Sequence, residues 1–164
     1  MSDFRIGQGI DAHRLAAGRP LTVGGVSIPY ERGLEGHSDG DVLLHAVADA
    51  LLGALGEGDL GRHFPSTDES LRGIASREIL SRVVAMARER GMRVVNLDAT
   101  LVAQVPRLAP HQAAMEAVVA ELLEVPRAAV NLKVTSTDRL GAIGSGEGMA
   151  ATAVVLLRST VEER

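Results

Sequence analysis

The chain has 164 residues, 46% hydrophobic and 23% charged, enough apolar side chain for one core and scarcely for two, so one domain over residues 1–164 is expected. Seventeen Lys and Arg against 21 Asp and Glu leave a formal charge of −4, which provides no positive field for a nucleic acid or an anionic membrane. With no cysteine, disulfides, thiolate metal sites and cysteine nucleophiles are excluded, and any metal must rest on histidine and carboxylate.

In chain order, Phe4 to Ile10 alternates apolar with small or polar residues and predicts a strand. Leu21 to Tyr30, broken at Gly24-Gly25, predicts a hairpin. Val42, Leu43, Val47, Leu51, Leu52 and Leu55 recur at helical spacing, predicting a helix over 39–55 with Ser38 as N-cap and Gly56 as stop. Gly58 to Asp68 is a loop of a length often functional, and Ser76 to Arg90, closed by Gly91, is a second amphipathic helix. A long strand follows over Met92 to Val105, ended by Pro106, then a helix over 110–124 and a strand over Asn131 to Thr137. Met149 to Leu157 is apolar at both alternating sets of positions, which asks for cover on both sides. Strands and helices alternate without repeat or linker, giving an α/β (α+β) class with a helix-backed mixed sheet, and the surplus of apolar strand surface suggests sheets packing between subunits. No apolar run reaches the ~20 residues of a membrane span and the start MSDFRIGQG lacks a leader pattern, which points to the cytoplasm.

Gly7-x-Gly9-x-x-Ala12 satisfies a dinucleotide fingerprint as written, but no helix follows it, because His13 to Pro20 holds Gly18 and Pro20 and leads into another strand. Asp11 and His13, two apart near a strand end, share a face and can reach one cation; His45 on the first helix can complete a two-histidine, one-carboxylate set. Three protein ligands with a position left open describe a catalytic rather than a structural metal site, while ordinary turn hydrogen bonds and a packed helix histidine explain the same residues equally well. A non-haem iron site also uses such ligands. Asp41 and Asp49, four residues either side of His45, are candidates to support it. Gly36 to Asp41 at the helix start suits an anion. Thr135-Ser-Thr-Asp138 offers hydroxyls and a carboxylate before a glycine-rich turn, and the one lysine, Lys133, has no P-loop around it. Phe4, Tyr30 and Phe64 are the only aromatics, which leaves main-chain groups to hold any nucleotide base.

Taken together, Gly7-x-Gly-x-Asp11-x-His13-Arg, Gly24-Gly-Val-x-Ile-Pro-Tyr30, Gly36-His-Ser-Asp-Gly-Asp-x3-His45-Ala, Gly58-Asp-Leu-Gly61, Phe64-Pro-x-Thr-Asp68 and Gly146-Glu-Gly148 resemble the 2-C-methyl-D-erythritol 2,4-cyclodiphosphate synthase family over about residues 4 to 158. The resemblance implies a homotrimer with sheets around a central axis and sites between subunits. It also implies a reaction of the non-mevalonate isoprenoid pathway: the 2-phosphate of 4-diphosphocytidyl-2-C-methyl-D-erythritol 2-phosphate attacks the β-phosphorus and releases CMP. A zinc-dependent phosphate-ester hydrolase or binding protein on the same scaffold is the alternative.

By the same resemblance, Asp11, His13 and His45 hold Zn2+, with Asp11 and His13 also near substrate, and His37 and Ser38 bind phosphate. Asp59, Leu60 and Gly61 with Phe64, Pro65, Ser66, Thr67 and Asp68 contact the methylerythritol phosphate. Ala103, Gln104, Val105, Pro106, Arg107 and Leu108 cradle cytosine, Arg107 with Thr135, Ser136 and Thr137 contacts the diphosphate, and Asp138 reaches a Mg2+ or Mn2+ ion on it; His37 and Ser136 are the catalytic candidates. Relative to the family's pattern, Asp138 stands for a common glutamate, Ser136 for threonine, and Ala142 and Ser145 for the phenylalanine and arginine with which many members build an isoprenoid-diphosphate cavity on the trimer axis.

Overall fold

A computed structural model describes residues 4–160; Met1 to Asp3 and residues 161–164 of the expected 1–164 domain lie outside the described residues. Seven strands, β1 (Phe4–Ala17), β2 (Leu21–Val23), β3 (Val26–Ile28), β4 (Arg32–Leu34), β5 (Met92–Ala103), β6 (Val130–Thr135) and β7 (Gly148–Ser159), alternate with α1 (Val42–Leu55), α2 (Leu60–His63), α3 (Ser76–Glu89), α4 (Gln112–Leu123) and α5 (Gly141–Gly144). Five strands form one mixed sheet in the order β4-β1-β7-β5-β6, antiparallel except for the β5–β6 pair, and β2 and β3 form the anticipated hairpin across Gly24-Gly25.

The sheet face that packs on α1 takes alternate residues of β7, Met149, Ala151, Ala153, Val155 and Leu157, all buried. The other face of β7, Ala150, Thr152, Val154 and Leu156, stays partly exposed, as do Ile6 at 71% and Ile10 at 70% on the neighbouring strand. The expectation that β7 is covered on both sides is therefore met on one side by the chain's own helices. Within α1 the residues that are not buried are His45, Asp49 and Gly53, one stripe at four-residue spacing, so the helix is core everywhere except toward the candidate site.

Three expectations are corrected. β1 does not stop at Ile10: it runs on to Ala17, pairing Asp11 with Ala151 and His13 with Met149 and then Leu15 with Leu34 of β4, so both candidate ligands sit within the strand rather than at its end. α1 starts at Val42, not 39, and Ser38 is not its cap; Asp41 is, accepting from the N–H of Leu44. The short pieces β4, α2 and α5 carry too few residues to show a periodicity and were not anticipated.

Candidate metal centre and the adjoining cavity

Gly7 and Gly9 explain how the site is assembled. A Cβ on Gly7 would lie 1.9 Å from the carbonyl oxygen of Ala50, and one on Gly9 2.0 Å from that of Ala46. Only bare backbone lets α1 descend onto β1 this closely. The next two positions on the same face of the strand, Asp11 and His13, then meet His45 on the helix. The dinucleotide-like pattern is thus a packing device.

The three ligand atoms converge. Asp11 Oδ2 lies 2.7 Å from His13 Nε2 and 3.0 Å from His45 Nδ1, and the two ring nitrogens are 3.1 Å apart. All three residues are half-buried. Ligands at 2.0–2.1 Å in a tetrahedron stand about 3.3 Å from one another, so a small outward movement of side chains already aimed at one point fits Zn2+, whose preference is for this nitrogen and oxygen set. Burial alone would raise Asp11, but the hydrogen bonds from His13 and His45 outweigh it and hold its carboxyl well below the usual carboxylate range. The same Asp11 contact raises His13 above an ordinary imidazole. On the far side of the His45 ring, Nε2 is 3.0 Å from Ser38 Oγ and 2.9 Å from Ser76 Oγ.

A cavity of about 440 Å³ opens beside this corner, lined by Asp11, His37, Ser38, His45, Asp59, Leu60, Gly61 and Phe64, with an apolar wall of Leu71, Ile74 and Ile79. His37 donates from Nε2 to the Asp68 carbonyl at 3.2 Å, which ties the cavity rim to the loop of Pro65, Ser66, Thr67 and Asp68. Those four residues stand beside the cavity rather than in its lining.

Ala103 to Leu108 and Thr135 to Asp138 form a separate group. The strand register aligns His13, Met149 and Ala103 in one row, so this group is at the same end of the sheet but beyond β7, and none of it lines the cavity. It is held together locally: Thr135 on β6 is registered with Val102 on β5, and the Arg139 N–H donates to Gln104 Oε1 at 3.0 Å.

Neither acidic neighbour on α1 supports His45 through its side chain. Asp41 is fully buried and accepts from the N–H groups of Gly24, Gly25 and Leu44, at 2.9, 2.6 and 3.1 Å. Burial pushes it up to about 6 while those donors pull it down. This carboxylate takes the Leu44 N–H and sets a negative charge at the start of α1, while the side chains of His37 and Ser38 line the cavity. Asp49 accepts from the Leu60 N–H at 2.7 Å and fixes the start of α2. Ser76 is a site residue the sequence did not reveal, since a serine opening a helix reads as a cap; the wall residues Leu71, Ile74 and Ile79 were equally silent.

Fold and corner together define an α/β protein with a two-histidine, one-carboxylate candidate cation site beside a cavity of about 440 Å³. The chain belongs to the YgbB family, whose model matches residues 4–158. It is 60% identical over 157 residues to the 2-C-methyl-D-erythritol 2,4-cyclodiphosphate synthase of Geobacillus kaustophilus, covering 96% of this chain and 99% of that one. Among solved structures it is similar to the bifunctional IspDF of Campylobacter jejuni (TM-score 0.91, 40% identity, 95% of this chain and 42% of that chain). It is also similar to a Plasmodium falciparum IspF described as a CDP complex (TM-score 0.85, 28% identity, 98% of this chain and 100% of that chain). None of these relatives bears the name of a hydrolase, and the hydrolase alternative draws no support from them. No helix among the described residues is long and apolar enough to cross a membrane.

Proposed function

We propose that the chain converts 4-diphosphocytidyl-2-C-methyl-D-erythritol 2-phosphate to 2-C-methyl-D-erythritol 2,4-cyclodiphosphate and CMP, as a cytoplasmic enzyme of the non-mevalonate isoprenoid pathway. The observation that carries this reading is the convergence of Asp11, His13 and His45 beside the cavity lined by His37 and Ser38. An oxygen of the 2-phosphate forms a bond to the β-phosphorus, the bond from that phosphorus to the oxygen bridging toward the α-phosphate breaks, and its electron pair leaves with CMP. No protein nucleophile takes part, so the chain's contribution is position and charge.

In this reading Asp11, His13 and His45 hold Zn2+ and Asp138 holds Mg2+ or Mn2+, ions that would neutralise charge gathering on the diphosphate. His37 and Ser38 present donors to phosphate from the cavity rim. Asp59 to Gly61 and Phe64 to Asp68 close around the methylerythritol phosphate and keep bulk water from the β-phosphorus. Ala103 to Leu108 hold cytosine through main-chain groups, and Arg107, Thr135, Ser136 and Thr137 orient the diphosphate, with Ser136 and His37 nearest the reacting atoms. Mass spectrometry and 31P NMR of the product test the reaction: a cyclic diphosphate with one CMP per turnover is expected, and a linear phosphate would establish hydrolysis instead.

We further propose a homotrimer with each site shared by two subunits. Both groups of residues lie at one end of the sheet but on opposite sides of β7. Rotation about an axis along the sheet keeps both at one level and can bring the cytosine group of one subunit to the cavity of the next. Ile6, Ile10 and Val154, exposed on the face away from α1, supply the apolar surface for such packing. Light scattering should give three times the chain's 17.2 kDa; a stable, active monomer would refute the arrangement.

A further inference from the structure

His45 can bind a cation through Nδ1 only when its ring proton sits on Nε2, and two serine hydroxyls stand where that proton would point. Their hydrogen bonds differ in a way that assigns them different work. Ser76, fully buried, donates its hydroxyl proton to Asp39 Oδ1, while its main-chain N–H donates to Asp39 Oδ2 at 3.1 Å. A carboxylate only accepts, so the Ser76 proton is fixed on Asp39 and the Ser76 oxygen must face His45 as an acceptor, 2.9 Å from Nε2. Ser38 Oγ accepts from the Gly40 N–H at 3.1 Å and stands 3.0 Å from His45 Nε2. No carboxylate claims its proton.

We infer that Ser76, anchored by Asp39, is the positioning residue that, when a cation is bound, holds His45 with its proton on Nε2 and its Nδ1 lone pair toward the cation between Asp11 and His13, leaving the Ser38 hydroxyl proton for a phosphate oxygen. This rests on the metal reading above. Asp39 and Ser76 lie 37 residues apart, on the loop before α1 and at the start of α3. Their pairing locks the His45 ring to a second helix, and an outer hydrogen bond of this kind typically contributes 10- to 100-fold in metal affinity.

The test is the Zn2+ dissociation constant of the purified full-length protein, measured at neutral pH by competition with a chromophoric chelator. Ser76→Ala should weaken Zn2+ about 10- to 100-fold. Ser38→Ala should change it by less than about threefold and instead raise KM for substrate. Asp39→Asn, which keeps the side-chain shape but offers one acceptor oxygen where two are used, should weaken Zn2+ in the same direction and carries the test if Ser76→Ala fails to fold. Affinity within twofold of the parent in a folded Ser76→Ala protein overturns the assignment, as does an equal loss in Ser38→Ala. A parent protein that takes up no Zn2+ overturns the metal reading and this inference with it, and the parent control tells that outcome apart.

Discussion

The corner where α1 meets β1 and the edge formed by residues 103–108 and 135–139 differ in where their hydrogen bonds come from. In the corner, Asp11, His13, His45, Ser38, Ser76 and Asp39 bind one another across a strand, two helices and a loop. At the edge one bond, from the Arg139 N–H to Gln104 Oε1, joins the two segments, and the rest are short-range: Thr135 donates to the Ser136 carbonyl, Ser136 to Asp138 and Thr137 to the Leu140 carbonyl. Asp138 and Arg139 there adopt left-handed φ values of 51° and 67°. A cation needs its ligands aimed in advance by groups outside the ligand set, whereas a diphosphate can be met by hydroxyls shaped by their own turn. Mutations of the corner's packing, ligand and anchoring residues should therefore damage metal binding, and mutations at the edge should damage turnover alone.

The largest effect is expected from Gly9→Val, which drives a side chain into the Ala46 carbonyl. Lifting α1 off β1 should cost more than about 4 kcal/mol and lose Zn2+ with it; thermal unfolding and elemental analysis read both, and a stable, zinc-loaded variant would refute the packing argument. His45→Ala removes a ligand, so Zn2+ affinity should fall by at least about 100-fold, more than loss of an outer partner costs. Full Zn2+ occupancy by elemental analysis would count against the site.

Asp41 sharpens the comparison through pH. Its carboxyl, raised from 3.8 to about 6, binds a proton more tightly in the folded chain than in the unfolded one. Its contribution to stability therefore falls as pH rises through that window, by about 3 kcal/mol at 1.36 kcal/mol per pKa unit. Urea unfolding of Asp41→Asn at pH 4, 5 and 7 should show a flatter profile than the parent, and parallel profiles would place the titration elsewhere. Smallest in stability is Asp138→Asn at the edge. Asparagine tolerates a left-handed φ, so unfolding should shift by no more than about 0.5 kcal/mol and Zn2+ content should hold. Turnover should drop about 10- to 100-fold with a higher Mg2+ requirement, a loss of about 1.4–2.7 kcal/mol at the barrier.

Legibility in the sequence follows the same division. Regular elements announced themselves wherever apolar residues kept their period, as in α3, α4 and β5. The pattern failed where function put polar groups on the buried face: Asp11 and His13 at inward positions of β1 look like the end of a strand, which is why its last seven residues were missed. Ser38 looks like a cap because it precedes an apolar run; the buried carboxylate of Asp41, bonded to the Leu44 N–H and to the Gly24-Gly25 turn, does that work. The ligand trio itself was legible as residue types at a plausible spacing. Ser76 and the apolar cavity wall were not, since they join the site through contacts between separate elements, Ser76 reaching His45 across 31 residues, for which no local spacing exists.

The sheet order has a consequence for synthesis. β7, the last of the seven strands in chain order, is inserted between β1 and β5. While the chain is still on the ribosome, α1 can cover β1, but two long strand edges stay open until residues 148–159 emerge. Asp11 and His13, whose pairing partners are Ala151 and Met149, are the last of the candidate ligands to be pinned. A ribosome stalled before residue 148 would thus leave a nascent chain with two open strand edges, a surface that invites pairing with other chains and removal by quality control.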